Sequence, residues 1–243
     1  MIIPAGGTLK GPLADRFNVP HKALLAPQGV RLIDVAVNSA LACSGTRRVC
    51  VPADIPFSLD DRVILTEGGT SAPNTILSGV NKLHPVSQHF LIITADLPFL
   101  TTEMIEHFVQ HAPDADFVAA VFDRNQFQSK FPNTTSTYVK LNDGEWTMGG
   151  LFLARSAAFV PSLKHMEAAF QNRKSVIGMV KLLGWRFLLD FALRRINVTQ
   201  TVSKIESILG CSIALVRDAD PALAYDIDDL DDYEYAERYR PHA

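Results

Sequence analysis

The sequence predicts an α/β protein with helices on both faces of a mostly parallel sheet. Two observations carry this. Strand-like and helix-like stretches alternate through the first half of the chain. In addition, Phe90–Ile93 and the core of Ala115–Asp123 are continuous apolar runs, as strands covered on both faces require. The 243 residues suffice for one or two domains, and the reading is one domain spanning residues 1–243.

The elements follow in order. Met1–Ile3 begins a short strand, and Pro4–Val19 is a loop rich in Gly and Pro. Arg31–Cys43 has apolar spacing near the helical period. Arg47–Ala53 and Asp61–Gly68 are strands, and Pro73–Leu83 is a helix with Asn74 near its start. The strand Phe90–Ile93 runs out toward Asp96. Thr101–Ala112 is a helix with a threonine to cap it and Glu103 in its first turn. Ala115–Asp123 is the next strand. Residues 123–150 break the rhythm and hold a hairpin around Tyr138–Leu141 and the turn Asn142-Asp143-Gly144. Residues 163–210 are helical in pattern, Ser212–Asp218 returns as a strand, and Asp226–Arg240 closes as a helix.

Composition excludes several classes. Apolar residues make up 47% and charged residues 20%, the balance of a soluble globular chain. A net charge of -3 leaves no basic excess for nucleic acid. Cys43, Cys50 and Cys211 are odd in number and form no Cys-x-x-Cys, which argues against disulfides and zinc and makes the cytoplasm the expected compartment. No signal peptide is visible at the N-terminus. Val176–Ile196 is long enough to span a bilayer, but carries five charges: Lys181, Arg186, Asp190, Arg194 and Arg195. It reads as one amphipathic helix, with Arg186, Asp190 and Arg194 on one face and Trp185, Leu188, Leu189 and Ala192 on the other. That apolar face suits packing on the domain, a homodimer contact, a membrane surface or a greasy part of a substrate.

In an open parallel sheet, ligands bind beyond the carboxyl ends of the strands. Three features fall there: the loop Ala5–Lys22, Asp96, and the pair Asp226 and Asp228. Glycine lets backbone approach phosphate oxygens closely, and a lysine adds a mobile positive charge. Two carboxylates from separate strands suit Mg²⁺, a hard cation that keeps phosphate oxygens in its shell. Singly these features are ordinary: "AGG" is commonly a turn, and Asp226–Asp232 is commonly a helix start. Together they suit a nucleoside triphosphate.

The order of the segments adds to this. "IIPAGG…VPHKALL", "GG…PNTILSGV", "FLIITADLPFLTTEMIEHFV" and "YDIDDLDDYEYA" resemble the MobA-like NTP transferase domain, among the sugar-nucleotide and molybdenum-cofactor type nucleotidyltransferases. The resemblance covers about residues 1–160 and 211–240, and leaves 163–210 as a helical insert. It implies a three-layer, Rossmann-like fold of the glycosyltransferase-A type and a Mg²⁺-dependent reaction in which an acceptor phosphate attacks an NTP and pyrophosphate leaves. By position it implies Pro4, Ala5, Gly6, Gly7, Lys22, Gly69 and Asn74 at the nucleotide, and Asp96 and Asp228 at the metal, with Asp226 as the neighbouring candidate. The hairpin region with Tyr138, Gly149 and Gly150 resembles the family's acceptor side.

This chain departs from the pattern at three places. The family's loop arginine is missing, so Lys10 substitutes or Arg16 reaches in; His21 separates Pro20 from Lys22; and "MGGL" lacks an asparagine. The expected function is cytoplasmic transfer of a nucleotidyl group from CTP or GTP to a phosphorylated small molecule, with Lys22, Asp96 and Lys10 catalytic. A nucleotide-sugar glycosyltransferase and a non-catalytic nucleotide-binding domain are the alternatives.

Overall fold

The computed structural model describes residues 1–53, 55, 60–83, 88–172 and 175–239. Its strands are β1 (Val49–Pro52), β2 (Val63–Thr66), β3 (His89–Ile93), β4 (Phe117–Asp123), β5 (Val139–Leu141), β6 (Gly144–Arg155) and β7 (Ile213–Val216). Its α-helices are α1 (Pro12–Arg16), α2 (Leu32–Ala42), α3 (Ala72–Leu83), α4 (Thr102–Gln110), α5 (Arg124–Lys130), α6 (Ser156–Asn172), α7 (Val176–Leu183), α8 (Trp185–Ala192), α9 (Val198–Leu209) and α10 (Leu230–Arg238).

β1 and β2 pair in parallel, and β3, β6, β4 and β7 pair in that order. Ile2 joins the two sets through parallel bridges to Cys50 of β1 and Ile92 of β3. The expected first strand is thus a single bridging residue, with backbone bonds from Ile2 to Leu91 and from Ile3 to Cys50, each 2.8 Å. β6 is antiparallel to β3, β4 and β5, while β4 and β7 are parallel. The sheet is therefore mostly parallel, with β6 the one reversed strand among those described.

Apolar side chains cover both faces. The larger cluster joins α2, α4, α5 and α10 to the sheet through residues such as Ile33, Phe108, Phe127 and Ala236. On the opposite face Val80 of α3 and Phe159 of α6 pack on Ile2, Phe90 and Ile92. This is the three-layer arrangement expected of the continuous apolar strands.

Four local expectations are corrected. The loop Pro4–Val19 contains α1, which Gly11 at φ +62° and Pro12 at the first helical position start. Residues 123–150 contain α5, where Asp123 and Gln126 form a capping box. The segment 176–196 is two helices, because Gly184 at φ +86° ends α7 and precedes α8. Its packed side is also different. Phe187 and Phe191 pack against Ile196 and Val198, whereas Trp185 and Leu189 are exposed. Arg240 of the expected last helix lies outside the described residues. Among those residues, no helix is long and apolar enough to cross a membrane.

Candidate active site

The N-terminal loop folds back on itself. Lys22 N–H donates to the Gly7 carbonyl (2.9 Å), Leu9 N–H donates to Pro20 (3.2 Å), and Thr8 bridges His21. His21 is thus the residue that registers the loop, and Lys22 follows it at the start of a short 3-10 turn. This fixes the lysine's stem over the ends of the strands. At β3, Gly150 of β6 accepts from Thr94 N–H (2.9 Å) and holds the strand end that leads to Asp96. Gly150 has little room for a side chain: a Cβ there would overlap Thr94 Oγ1 and lie 3.1 Å from Leu97. From the C-terminal side, Ile227 N–H donates to the Asp96 carbonyl (3.2 Å), which sets Asp226 and Asp228 beside Asp96.

The acidic run after Tyr225 divides its labour. Asp229 and Asp232 form the capping box of α10, with Asp232 also accepting from the Asp228 and Asp229 amides. Asp226 and Asp228 are left to face the cleft, and one carboxylate oxygen from each of Asp96, Asp226 and Asp228 lies within 4.8 Å of the others.

Lys22 offsets part of the charge of this group. Its Nζ donates to Asp96 Oδ2 at 2.8 Å and to Asp228 Oδ1 at 2.5 Å. Burial works against the lysine's charge, but the Asp96 and Asp228 carboxylates outweigh it, and the ammonium titrates above the ordinary lysine range. Asp226 opens to the cleft. Even so, the protein packed around it, with the charges of Asp96 and Asp228, pushes its carboxyl up to about 7 against the pull of Lys22. Asp96 Oδ1 is buried and has no hydrogen-bond partner. Three convergent carboxylates with one such oxygen make a hard-oxygen donor set suited to a divalent cation.

Two clefts meet at these residues. The first, about 500 Å³, is lined by Pro4–Thr8, Lys10, Lys22, Gly69–Ala72, Thr75, Thr94–Asp96 and Phe170. The second, about 430 Å³, is lined by Asp226, Asp228, Thr135–Thr137, Val139 and Trp146–Met148, among others. Lys22 and Asp96 belong to the first and Asp226 and Asp228 to the second, so the Lys22–Asp228 ion pair spans the junction.

The sequence-predicted residues divide accordingly. Pro4, Ala5, Gly6, Gly7, Lys10, Lys22, Gly69 and Asp96 line the first cleft. Gly69 is confined by backbone, since a Cβ would come 2.5 Å from Asn74 C and 2.6 Å from Thr75 N. Asn74 does not line that cleft; its amide turns to Ser71 Oγ (3.1 Å), and Thr70, Ser71 and Thr75 stand there instead. Arg16 is paired with Glu234 of α10 at 2.5 Å and does not line the first cleft, where Lys10 stands with Lys22. Tyr138, Gly149 and Gly150 do not line the second cleft. The Tyr138 ring lies under Arg124 and against Phe127. Gly149 is packed on Ala120, Phe122 and Leu223. The exposed residue at this place is Met148, beside Thr147. Strand alternation alone could have found it, since the residue before Gly149 must face the other way.

A second group, His107, His111 and Asp218, could also approach one cation. No member of it lines either cleft, and the stacked rings (4.0 Å) and the His111 Nδ1 contact with the His107 carbonyl account for its geometry.

Residues 1–182 match the family model of the MobA-like NTP transferase domain. The chain belongs to that family. This makes it a nucleotidyltransferase of Rossmann-like fold. The family match runs past the start of the helical stretch and ends before Asp226 and Asp228. No curated protein matches the sequence. Among solved structures, a hypothetical transferase from Thermus thermophilus superposes with a TM-score of 0.80 at 24% identity, covering 96% of this chain and 97% of that one. The 2-C-methyl-D-erythritol 4-phosphate cytidylyltransferase of Francisella tularensis gives 0.58 at 15% identity, covering 97% and 96%. Rv0371c of Mycobacterium tuberculosis gives 0.56 at 14%, covering 98% and 96%. These likenesses establish the fold.

Proposed function

We propose that this MobA-like NTP transferase moves a nucleotidyl group from an NTP, CTP or GTP, to a phosphorylated small-molecule acceptor with release of pyrophosphate, supported by Mg²⁺. The observation that carries the proposal is the junction itself. A glycine- and hydroxyl-lined cleft and a second cleft share one cluster of three carboxylates and a lysine. The first cleft suits a triphosphate, through the backbone of Gly6 and Gly7, the hydroxyls of Thr70, Ser71 and Thr75, and the charges of Lys10 and Lys22. The cytidylyltransferase among the structural neighbours favours CTP of the two donors.

Asp96, Asp226 and Asp228 would hold the Mg²⁺, which when bound supplies positive charge against the phosphate oxygens. Lys22 would leave its carboxylate partners for the triphosphate as the metal–nucleotide complex enters. An acceptor phosphate oxygen then bonds to the α-phosphorus, and the bond from that phosphorus to the β-bridging oxygen breaks. Lys10, exposed on the cleft wall, would stabilise the departing pyrophosphate. A cytoplasmic setting belongs to this reading, in keeping with the free thiols of Cys43, Cys50 and Cys211.

The test is thermal unfolding with each of four NTPs, with and without Mg²⁺, on wild type and Asp96→Asn, followed by pyrophosphate release. One preferred base and a Mg²⁺-dependent shift lost in the variant are expected. A shift with none of the nucleotides would refute the proposal.

A further inference from the structure

The helices α6, α7, α8 and α9 surround a half-open chamber of about 510 Å³ into which no polar atom of its lining residues opens. Met166 and Ala169 of α6, Met179 of α7, Phe187 and Leu188 of α8 and Ile205 of α9 form its wall. None of its lining residues is fully buried. Closed cores pack to crystal-like density, so apolar side chains held half-open around this volume suit a ligand rather than a fold-stabilising core.

Three connections tie the chamber to the reaction site. Val139 of the β5–β6 hairpin lines both the chamber and the second cleft, where Asp226 and Asp228 stand, and the residue is 43% exposed. Trp146, on the same hairpin, lines that cleft and packs on the cluster of Leu141, Ile196 and Val198, as do Phe187 and Phe191, which line the chamber. Helix α6 is also a shared wall: Phe170 lines the nucleotide cleft while Met166 and Ala169 line the chamber.

We infer that the acceptor is an amphiphile: a phosphomonoester of an aliphatic alcohol, with its phosphate at the carboxylate junction and its chain passing Val139 into the chamber. This rests on the proposed nucleotidyl transfer and names the substrate class of the second cleft. A wholly polar acceptor would leave the chamber without a role; a phosphate with a chain uses the charged junction and the apolar wall together.

The test uses the full chain and n-alkyl phosphates of four, eight and twelve carbons, below their micelle concentrations. Binding is read by calorimetry, which needs no turnover, and pyrophosphate release is read with Mg²⁺ and the preferred NTP. Each added methylene should tighten binding about fourfold until the chamber is filled. Ala169→Trp, which fills the chamber, and Ile205→Gln, which wets it, should each flatten the series. The NTP-induced thermal shift, read at the separate cleft, controls for folding.

A series flat in wild type with the NTP shift intact overturns this inference and leaves nucleotidyl transfer standing. Chain-dependent binding with no NTP shift overturns the parent reading and the acceptor role with it. A wild-type dimer that Ala169→Trp dissociates, with a flat series, assigns the chamber to a second copy and also overturns the inference.

Discussion

Lys22→Met tests whether the lysine is the counter-ion of the carboxylate group. In the wild type Nζ stands 2.8 Å from Asp96 Oδ2, and the two side chains are 20% and 22% exposed. At an effective dielectric of about 20, that separation corresponds to roughly 6 kcal/mol of gross attraction, most of it offset by the desolvation of both groups. The second pair reaches Asp228, which is 70% exposed and adds little. Removing one partner of a fully buried pair costs about 3–5 kcal/mol, so this partly open one should cost about 2 kcal/mol. For a chain of this length that is a fall of about 4–8 °C in Tm. The variant also removes the charge with which a cation must compete. Mg²⁺ should therefore raise the Tm of Lys22→Met more than that of the wild type, while pyrophosphate release is lost. Differential scanning fluorimetry across a Mg²⁺ series reads both effects. A variant as stable as the wild type, with no larger Mg²⁺ shift, would refute the assignment of Lys22 as counter-ion and of the three carboxylates as the cation's donors.

Other perturbations follow from the same geometry. Asp96→Asn should lower kcat by roughly 10²–10³-fold in pyrophosphate release, the loss of one principal electrostatic group, and an unchanged rate would remove Asp96 from the chemistry. Gly150→Ala should destabilise the fold by about 1–3 kcal/mol, because its Cβ would overlap Thr94 Oγ1. Adding Thr94→Ala should recover part of that loss in denaturant melts, and no recovery would place the strain elsewhere. Burial pushes the thiols of Cys43 and Cys50 up to about 11, and raises Cys211 as well. Native protein at pH 8 should thus react slowly with a disulfide reagent and release three equivalents only when unfolded; a fast native equivalent would contradict this.

The fold was legible where one rule decided each element. Phe90–Ile93 and Phe117–Phe122 are apolar without alternation, and both are interior strands of the sheet. Thr101 caps α4 as its residue type predicts, accepting from Met104 N–H at 3.4 Å. The missed elements are short and set by turn chemistry. Asp123 ends a strand and begins α5 at once, so its apolar neighbours masked a capping box written in Asp123 and Gln126. Gly184 sits inside an otherwise continuous helical pattern, and only its positive φ shows that the apolar stripe must restart in α8 with a different phase.

The site was legible through charge and obscure through packing. Asp96 and Asp228 lie 74 and 206 residues from Lys22 in the chain; their positions at strand ends suggest that they share one place, and two ion pairs join them in the structure. Glycines are harder to read, because a glycine that meets a ligand and one that meets a neighbouring strand look alike in sequence. Gly6 and Gly7 line the first cleft, whereas Gly149 and Gly150 fit β6 between Ala120, Leu223 and Thr94. The second pair still serves the site, by a longer route. The Gly150 carbonyl receives Thr94 N–H, and Thr94 stands two residues before Asp96. A side chain at Gly150 would press on Thr94 and Leu97, which flank Asp96 in sequence, so its steric requirement bears on the position of one of the three clustered carboxylates.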